Sequence, residues 1–489
     1  MHTLLSKDGG MRVATRNPGE HLPAWTAILL ALILLPCLSA AQTGDAPPKA
    51  LTLEEALDYA LQHYPAVRAS LEQVSAARAG ITLARAQYLP FLDGVYQDSR
   101  ATQNQVPGIW LSSPITPTVE GPVGAPSGQS YWGSQAAMLF SWEPFDFGLR
   151  SATVGGARSA ADKSTADLAV TRLQVATAVG DYFLTALANQ QARLAAQANV
   201  ERWQVFDKTV HVLVDNQLRP GADASRADAE LSRAKTQLYL TQQAERVALD
   251  TLAALMGTAG REIGVDSGPL LGLPPPASLP EATASAHPLA RDQMAALREV
   301  LAQEKVLKRT DYPRVFLQAE GFGRGSEVPN NGNIIGDWNG LAPARGNWVV
   351  GLTILFPNLF DLKALSAKKQ IAVANERAQQ AHYQQTLQDL TGQIQAAHDQ
   401  LKAAQLVAQE TPTELSAARQ TEIQSRARYE AGLTNLVEVA DAENLLAQAE
   451  TQDALARLNL WRGLFHVANA QGDLEPFLAL LRAQAGSKP

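Results

Sequence analysis

Glu438 and Asp441 are the residues of this sequence best placed to act on an ion. They stand three positions apart in a helical pattern that opens near Leu436, and side chains at that spacing share one helix face. Two neighbouring carboxylates attract cations and could hold a divalent one. Acids in a first helical turn are also favoured by the helix dipole with no ion present, so the residue types leave both readings open. Enzymatic chemistry finds no comparable support. There is no zincin pair, phosphate loop, nucleophile elbow or cysteine–histidine arrangement. His63, His211, His287, His382, His398 and His466 are scattered without ligand spacing. No catalytic residue, cofactor or resident metal is expected.

The elements around these carboxylates are unusual. A helical pattern runs from Leu362 to about Tyr429, interrupted only by Pro412, turns at Ala431-Gly432 and returns as about 436–470. An earlier copy runs from Leu149 to about Gln217, turns at Arg219-Pro220-Gly221 and returns as about 224–256. Leu168, Leu173, Val175, Val179, Phe183 and Leu187 recur at helical steps, and a run of this length makes a rod of about 100 Å. Ahead of each rod, period-two alternation predicts strands at about 91–103 and 131–143, then at about 315–324 and 347–356. Pro65 and Pro90 keep the same separation as Pro288 and Pro313, bracketing matched shorter helices. The plan is therefore duplicated: a first repeat over 42–257, a Pro-rich connector over 258–286, a second repeat over 287–472 and a short, partly disordered tail over 473–489. Gly321-Phe322-Gly323-Arg324-Gly325 has phosphate-loop spacing but opens no helix, so it reads as a turn.

The strands carry Trp132 and Trp142 at the ends of one alternating face, and Trp348 and Phe356 at the ends of its counterpart. Aromatic rings at both ends of an apolar face suit a strand crossing lipid. A soluble sheet with one buried face gives the same period. Four strands cannot close a barrel, and an open edge in lipid leaves backbone groups unpaired, so one chain could not span a bilayer alone. The N-terminus favours the membrane reading. Arg12 and Arg16 precede an apolar run from Ala27 to Leu35, and Ser39-Ala40-Ala41 supplies the small residues of a cleavage site, giving a signal peptide over 1–41. Cys37, the sole cysteine, sits where a lipoprotein cysteine would, but Pro36 stands where a small residue is normal. An inert residue in a discarded signal is favoured over lipidation. The net charge of −7 with no basic block argues against nucleic acid.

The stretch from Tyr429 to Ala442 (Tyr-Glu-Ala-Gly-Leu-Thr-Asn-Leu-Val-Glu-Val-Ala-Asp-Ala), the opening Leu51-Thr52-Leu53-Glu54-Glu55-Ala56-Leu57 and the duplicated plan resemble the TolC-type outer-membrane efflux and export channels. The resemblance spans Leu51 to about Pro476. It implies a mixed fold, mostly α plus membrane β. In it, tandem helix–β-hairpin–helix repeats form a trimeric twelve-stranded outer-membrane β-barrel continuous with a long periplasmic α-helical barrel. It also implies a homotrimer in the outer membrane of a Gram-negative bacterium. Its partners would be outer-membrane lipid, a periplasmic adaptor protein and an inner-membrane transporter. Glu438 and Asp441 would ring a pore constriction, and Gly221, Ala222, Asp223, Tyr429, Gly432, Leu433 and Thr434 would form the tip turns that dock the adaptor. The family's tip lock pairs an arginine after the motif glycine with an aspartate of the first repeat. Here Thr434 and Ser225 stand at those places, with Asp223 and Arg226 as possible substitutes. The function implied is a passive exit duct for small molecules. Export of polypeptide or metal, or a soluble periplasmic coiled-coil scaffold, are the alternatives.

Overall fold

The computed structural model describes residues 50–101, 130–275, 280, 282–327, 338–357 and 362–486. The expected signal with Cys37 lies outside those residues, as do the stretch between the first two expected strands over 104–129 and residues 358–361 ahead of the second rod.

Strand β1 (Ala50–Leu51) leads into helix α1 (Leu53–His63). Thr52 caps it: the hydroxyl accepts from Glu55 N and the Glu55 carboxylate accepts from Thr52 N, pairing two donors that a helix start leaves orphaned. Pro65 opens α2 (Pro65–Ala86), where a fixed φ helps and no N–H is needed. The hairpin of β2 (Phe91–Ala101) and β3 (Tyr131–Phe145) follows. The chain then turns sharply, with φ of 50° at Phe147 and 92° at Gly148. The Asp146 carboxylate accepts from Gly148 N and Arg150 Nε at 3.0 and 2.9 Å, which starts α3 (Leu149–Asp215). At 67 residues α3 is about 100 Å long, and it returns as α4 (Gly221–Leu255). In the connector, β4 (Gly264–Val265) pairs in parallel with β1. The plan repeats as α5 (Pro288–Arg309), β5 (Arg314–Ser326), β6 (Arg345–Leu355), α6 (Leu362–Glu430) and α7 (Leu436–Gln471). Helix α6 continues through Pro412.

A last helix, α8 (Glu475–Ala485), replaces the expected tail. Phe477 and Leu481, one turn apart, are buried against the rest of the molecule, and Arg482 pairs with Glu54 of α1. That apolar face, too short to stand out by periodicity, is what orders it.

The sheet runs β2-β3-β5-β6, antiparallel throughout. Cross-strand register collects Leu92, Phe140, Ala319 and Val350 in one row, with Leu352, Met138 and Trp348 on the same face. That face is open: Trp348 is 81% and Leu352 66% exposed. The opposite face buries Gln135, Gln318 and Glu320 beside Ala137 and Leu139, so it is polar-rich rather than apolar, and Gln318 and Glu320 are 4% exposed. A water-soluble sheet buries its apolar face and wets its polar one. This one does the reverse. Trp132 and Trp142 sit near the two ends of β3, while Trp348 pairs with Gly321 and so lies level with Met138. Phe356 follows β6 and is exposed. None of the described helices is long and apolar enough to cross a membrane.

Gly321, Gly323 and Gly325 do not make the turn expected of them; all three are paired inside β5. For Gly323 and Gly325 the reason is distant in sequence. Residues 338–344 cross the apolar face at its far end, where Tyr96 Oη donates to Leu341 O at 3.0 Å. A Cβ on Gly325 would collide with Ala342 O, and one on Gly323 would press on Pro343 at 3.0 Å. Glycine lets the crossing segment lie flat.

Among the helices, α3 packs along α4 and α6 along α7, and α3 also touches α2, α5 and α7. The largest core gathers Val179, Phe183 and Leu187 of α3, Leu252 of α4 with Met256 just past its end, Trp461 and Phe465 of α7 and Phe477 of α8. Trp461 Nε1 donates to Gly272 O at 2.9 Å, which ties the connector to this level. Gly180 allows α3 to meet α7, since a Cβ there would run into the Phe465 ring. Gly180→Ala should cost about 1–3 kcal/mol by overpacking, read as a lower midpoint in thermal unfolding. Gly155→Ala, with nothing within 4 Å of the new carbon, should leave the midpoint in place or raise it.

Candidate functional site at the helical tip

The two hairpin tips have the same backbone ending. At the first, Leu218 N donates to Leu213 O and Gln217 N to Val214 O; at the second, Leu433 N donates to Arg428 O and Gly432 N to Tyr429 O. This six-to-one and five-to-two pairing closes a helix with one left-handed residue. Gly432 takes it at φ 77° and Gln217 at φ 61°. Glycine does so without strain, whereas a residue with a Cβ does not. Asn435 then opens α7, its Oδ1 accepting from Glu438 N at 3.2 Å.

One arginine of the first turn grips the second. The Arg219 guanidinium lies 4.1 Å from the Tyr429 ring centroid, donates to Thr434 O at 3.3 Å and also donates to Tyr429 O. Tyr429 is fully buried, and its Oη donates to Asp223 Oδ2 at 2.9 Å. Burial pushes the phenol pKa up, and the hydrogen bond to Asp223 pushes it further the same way. The tyrosine is therefore a permanent donor here. Around it close Trp203, Phe206 and Val210 of α3, Ala227 of α4 and Leu436, Val439 and Ala440 of α7.

The expected substitutes for the family lock divide. Asp223 takes part, but Arg226 and Ser225 are exposed, and the cation comes from Arg219. Sequence could not assign Arg219 this role, because its partners lie some two hundred residues away. Thr434 contributes its carbonyl; Gly221, Ala222, Gly432 and Leu433 are exposed at the turns.

Deeper in, Glu443 is 1% exposed and lies between two arginines. Arg202 Nε is 3.0 Å from Glu443 Oε2 and Arg426 Nη2 is 2.5 Å from Oε1. Arg426 also meets Glu422 at 2.8 Å, and Arg202 meets Glu450 at 3.1 Å. Burial raises the Glu422 pKa, opposed by Arg426 and reinforced by Glu443. The network ties α3 of the first repeat to α6 and α7 of the second.

Glu438 and Asp441 are both exposed in the first turns of α7. Glu438 Oε2 stands 3.8 Å from Arg428 Nη1, a loose pair in solvent. On α3 and α4, His211 faces two carboxylates, Asp207 and Asp228, a grouping that histidine spacing alone had not revealed.

A family model described as outer membrane efflux protein matches residues 56–258 and 279–472. Protein CyaE of Bordetella pertussis is 26% identical over 484 residues, covering 96% of this chain and 93% of its own. The solved structure of the outer-membrane channel OprN superposes with a TM-score of 0.66 at 20% identity, covering 86% of this chain and 89% of that one. The outer membrane protein VceC of Vibrio cholerae gives 0.66 at 18% identity, covering 86% and 96%.

Proposed function

We propose, from the premise that this chain belongs to the outer membrane efflux protein family, that it is an outer-membrane exit duct. In this reading it conducts small molecules passively from a periplasmic adaptor and an inner-membrane pump to the outside. The observation that carries the reading is the sheet with its apolar face outward and a polar-rich face inward, which suits a wall between lipid and water. Among the described residues, strands β2 and β6 each keep one unpaired edge, an arrangement lipid does not tolerate. Three copies joined β6 to β2 would give twelve strands and no free edge. Exposed apolar side chains favour the same assembly along the helices: Leu240 and Val247 on α4, Ile371 and Val407 on α6. A soluble scaffold would have no use for the open Trp348 face.

In such a trimer Glu438 and Asp441 would form two stacked carboxylate rings at the closed end, and the exposed tip residues Gly221, Ala222, Gly432 and Leu433 would meet the adaptor. Tyr429, Asp223 and Thr434 belong instead to the latch beneath that surface. The test combines assembly with conduction. Native mass spectrometry in mild detergent should give three chains, and planar bilayers should carry cation-selective current. Glu438→Gln with Asp441→Asn should weaken cation selectivity and divalent block. Monomers recovered in the aqueous periplasmic fraction would overturn the duct, while unchanged selectivity would remove only the carboxylates from its lining.

A further inference from the structure

The geometry assigns a divalent transition-metal site to the first-repeat hairpin, made of Asp207 and His211 on α3 and Asp228 on α4. Asp207 and His211 are one helical turn apart, hence on one face, and the antiparallel return of α4 brings Asp228 against them. His211 Nε2 lies 3.3 Å from Asp228 Oδ1 and 3.7 Å from Asp207 Oδ1. All three ligand atoms fall within 4.8 Å of one another. Tetrahedral zinc, with ligands at about 2.0–2.2 Å, sets neighbouring donor atoms about 3.3 Å apart. Two edges of that tetrahedron are nearly in place, and the third, between the two carboxylates, is no longer than 4.8 Å.

Asp207 supplies an independent sign. Its Oδ1 is shielded from solvent yet accepts no hydrogen bond among the described residues. A shielded carboxylate oxygen without a donor is costly, and a cation removes that cost. Two carboxylates and a neutral imidazole carry two negative charges, the complement of a divalent ion. The imidazole selects zinc, cobalt, nickel or copper over magnesium and calcium. Half-exposed His211 and exposed Asp228 leave an entry path and room for water as fourth ligand. A bound ion would clasp α3 to α4 and stiffen the hairpin that presents Arg219.

The plain alternative is His211 bonded directly to the two aspartates, with no metal. Chelator-stripped full-length protein in detergent, titrated with Zn²⁺ against a chromophoric competitor, separates the two. One Zn²⁺ per chain is expected. His211→Gln and Asp228→Asn should each weaken it by at least about tenfold, since even outer-shell partners of a metal command that much. Co²⁺ should give visible bands that His211→Gln abolishes, while the Glu438→Gln, Asp441→Asn double variant keeps them. Absence of competition, or Zn²⁺ affinity and Co²⁺ bands indifferent to both ligand substitutions, overturns the site. Both substituted side chains are substantially exposed, so the variants should keep the fold.

Discussion

In the proposed duct, Arg219→Ala should make the helical tip leakier, seen as a several-fold rise in single-channel conductance in planar bilayers. The guanidinium makes a stacking contact with Tyr429 and donates to two backbone carbonyls of the second repeat. Cation–π contact contributes about 0.5–2 kcal/mol, and a hydrogen bond from a charged group about 1.5–3 kcal/mol. Water recovers part of both when the side chain goes, since Arg219 is only half-buried. A net shift of about 2 kcal/mol moves a two-state tip roughly 30-fold toward open. Tyr429→Phe should act in the same direction but less, because the ring remains for Arg219 and only the bond to Asp223 is lost. The double variant should fall short of the sum, as the two residues touch. Wild-type conductance in Arg219→Ala would show that the tip closes by other means.

Glu443→Leu should be the most destabilising single change near the tip. It would strip the common partner from Arg202 and Arg426, leaving two cations facing a buried apolar side chain. Breaking a buried ion pair from one side costs about 3–5 kcal/mol. Glu422 and Glu450 remain beside the two arginines, which puts the expected loss near the lower end, about 3 kcal/mol. Thermal unfolding and limited proteolysis near the tip would both report it. Glu438→Gln, exposed one turn earlier, should stay within about 0.5 kcal/mol. A stable Glu443→Leu protein would mean that apolar packing replaces the network.

Much of this architecture was readable because it rests on local patterns. Period-two alternation, helical recurrence and matched prolines such as Pro65 and Pro288 depend on near neighbours, and the duplicated helix–hairpin–helix plan follows from them. Gly432 was legible as a turn because a left-handed residue needs only its own backbone. What escaped depends on distant contacts. The run from Gly321 to Gly325 reads as a turn since nothing nearby announces the segment that crosses Gly323 and Gly325. The ligand set around His211 draws on two helices, although Asp207 at four residues' distance was a signal available in the sequence. Arg219 resembles any surface arginine until Tyr429 is seen beneath it. Phe477 and Leu481 gave too short a period to mark α8.

The latch has a kinetic corollary. A single guanidinium serves one ring and two carbonyls, so those three contacts are lost together when it leaves. Both sides of the grip belong to the same polypeptide, so in the proposed three-membered ring each copy would unfasten without waiting for its neighbours. Current through such a ring would climb in discrete sublevels, one for each copy that lets go.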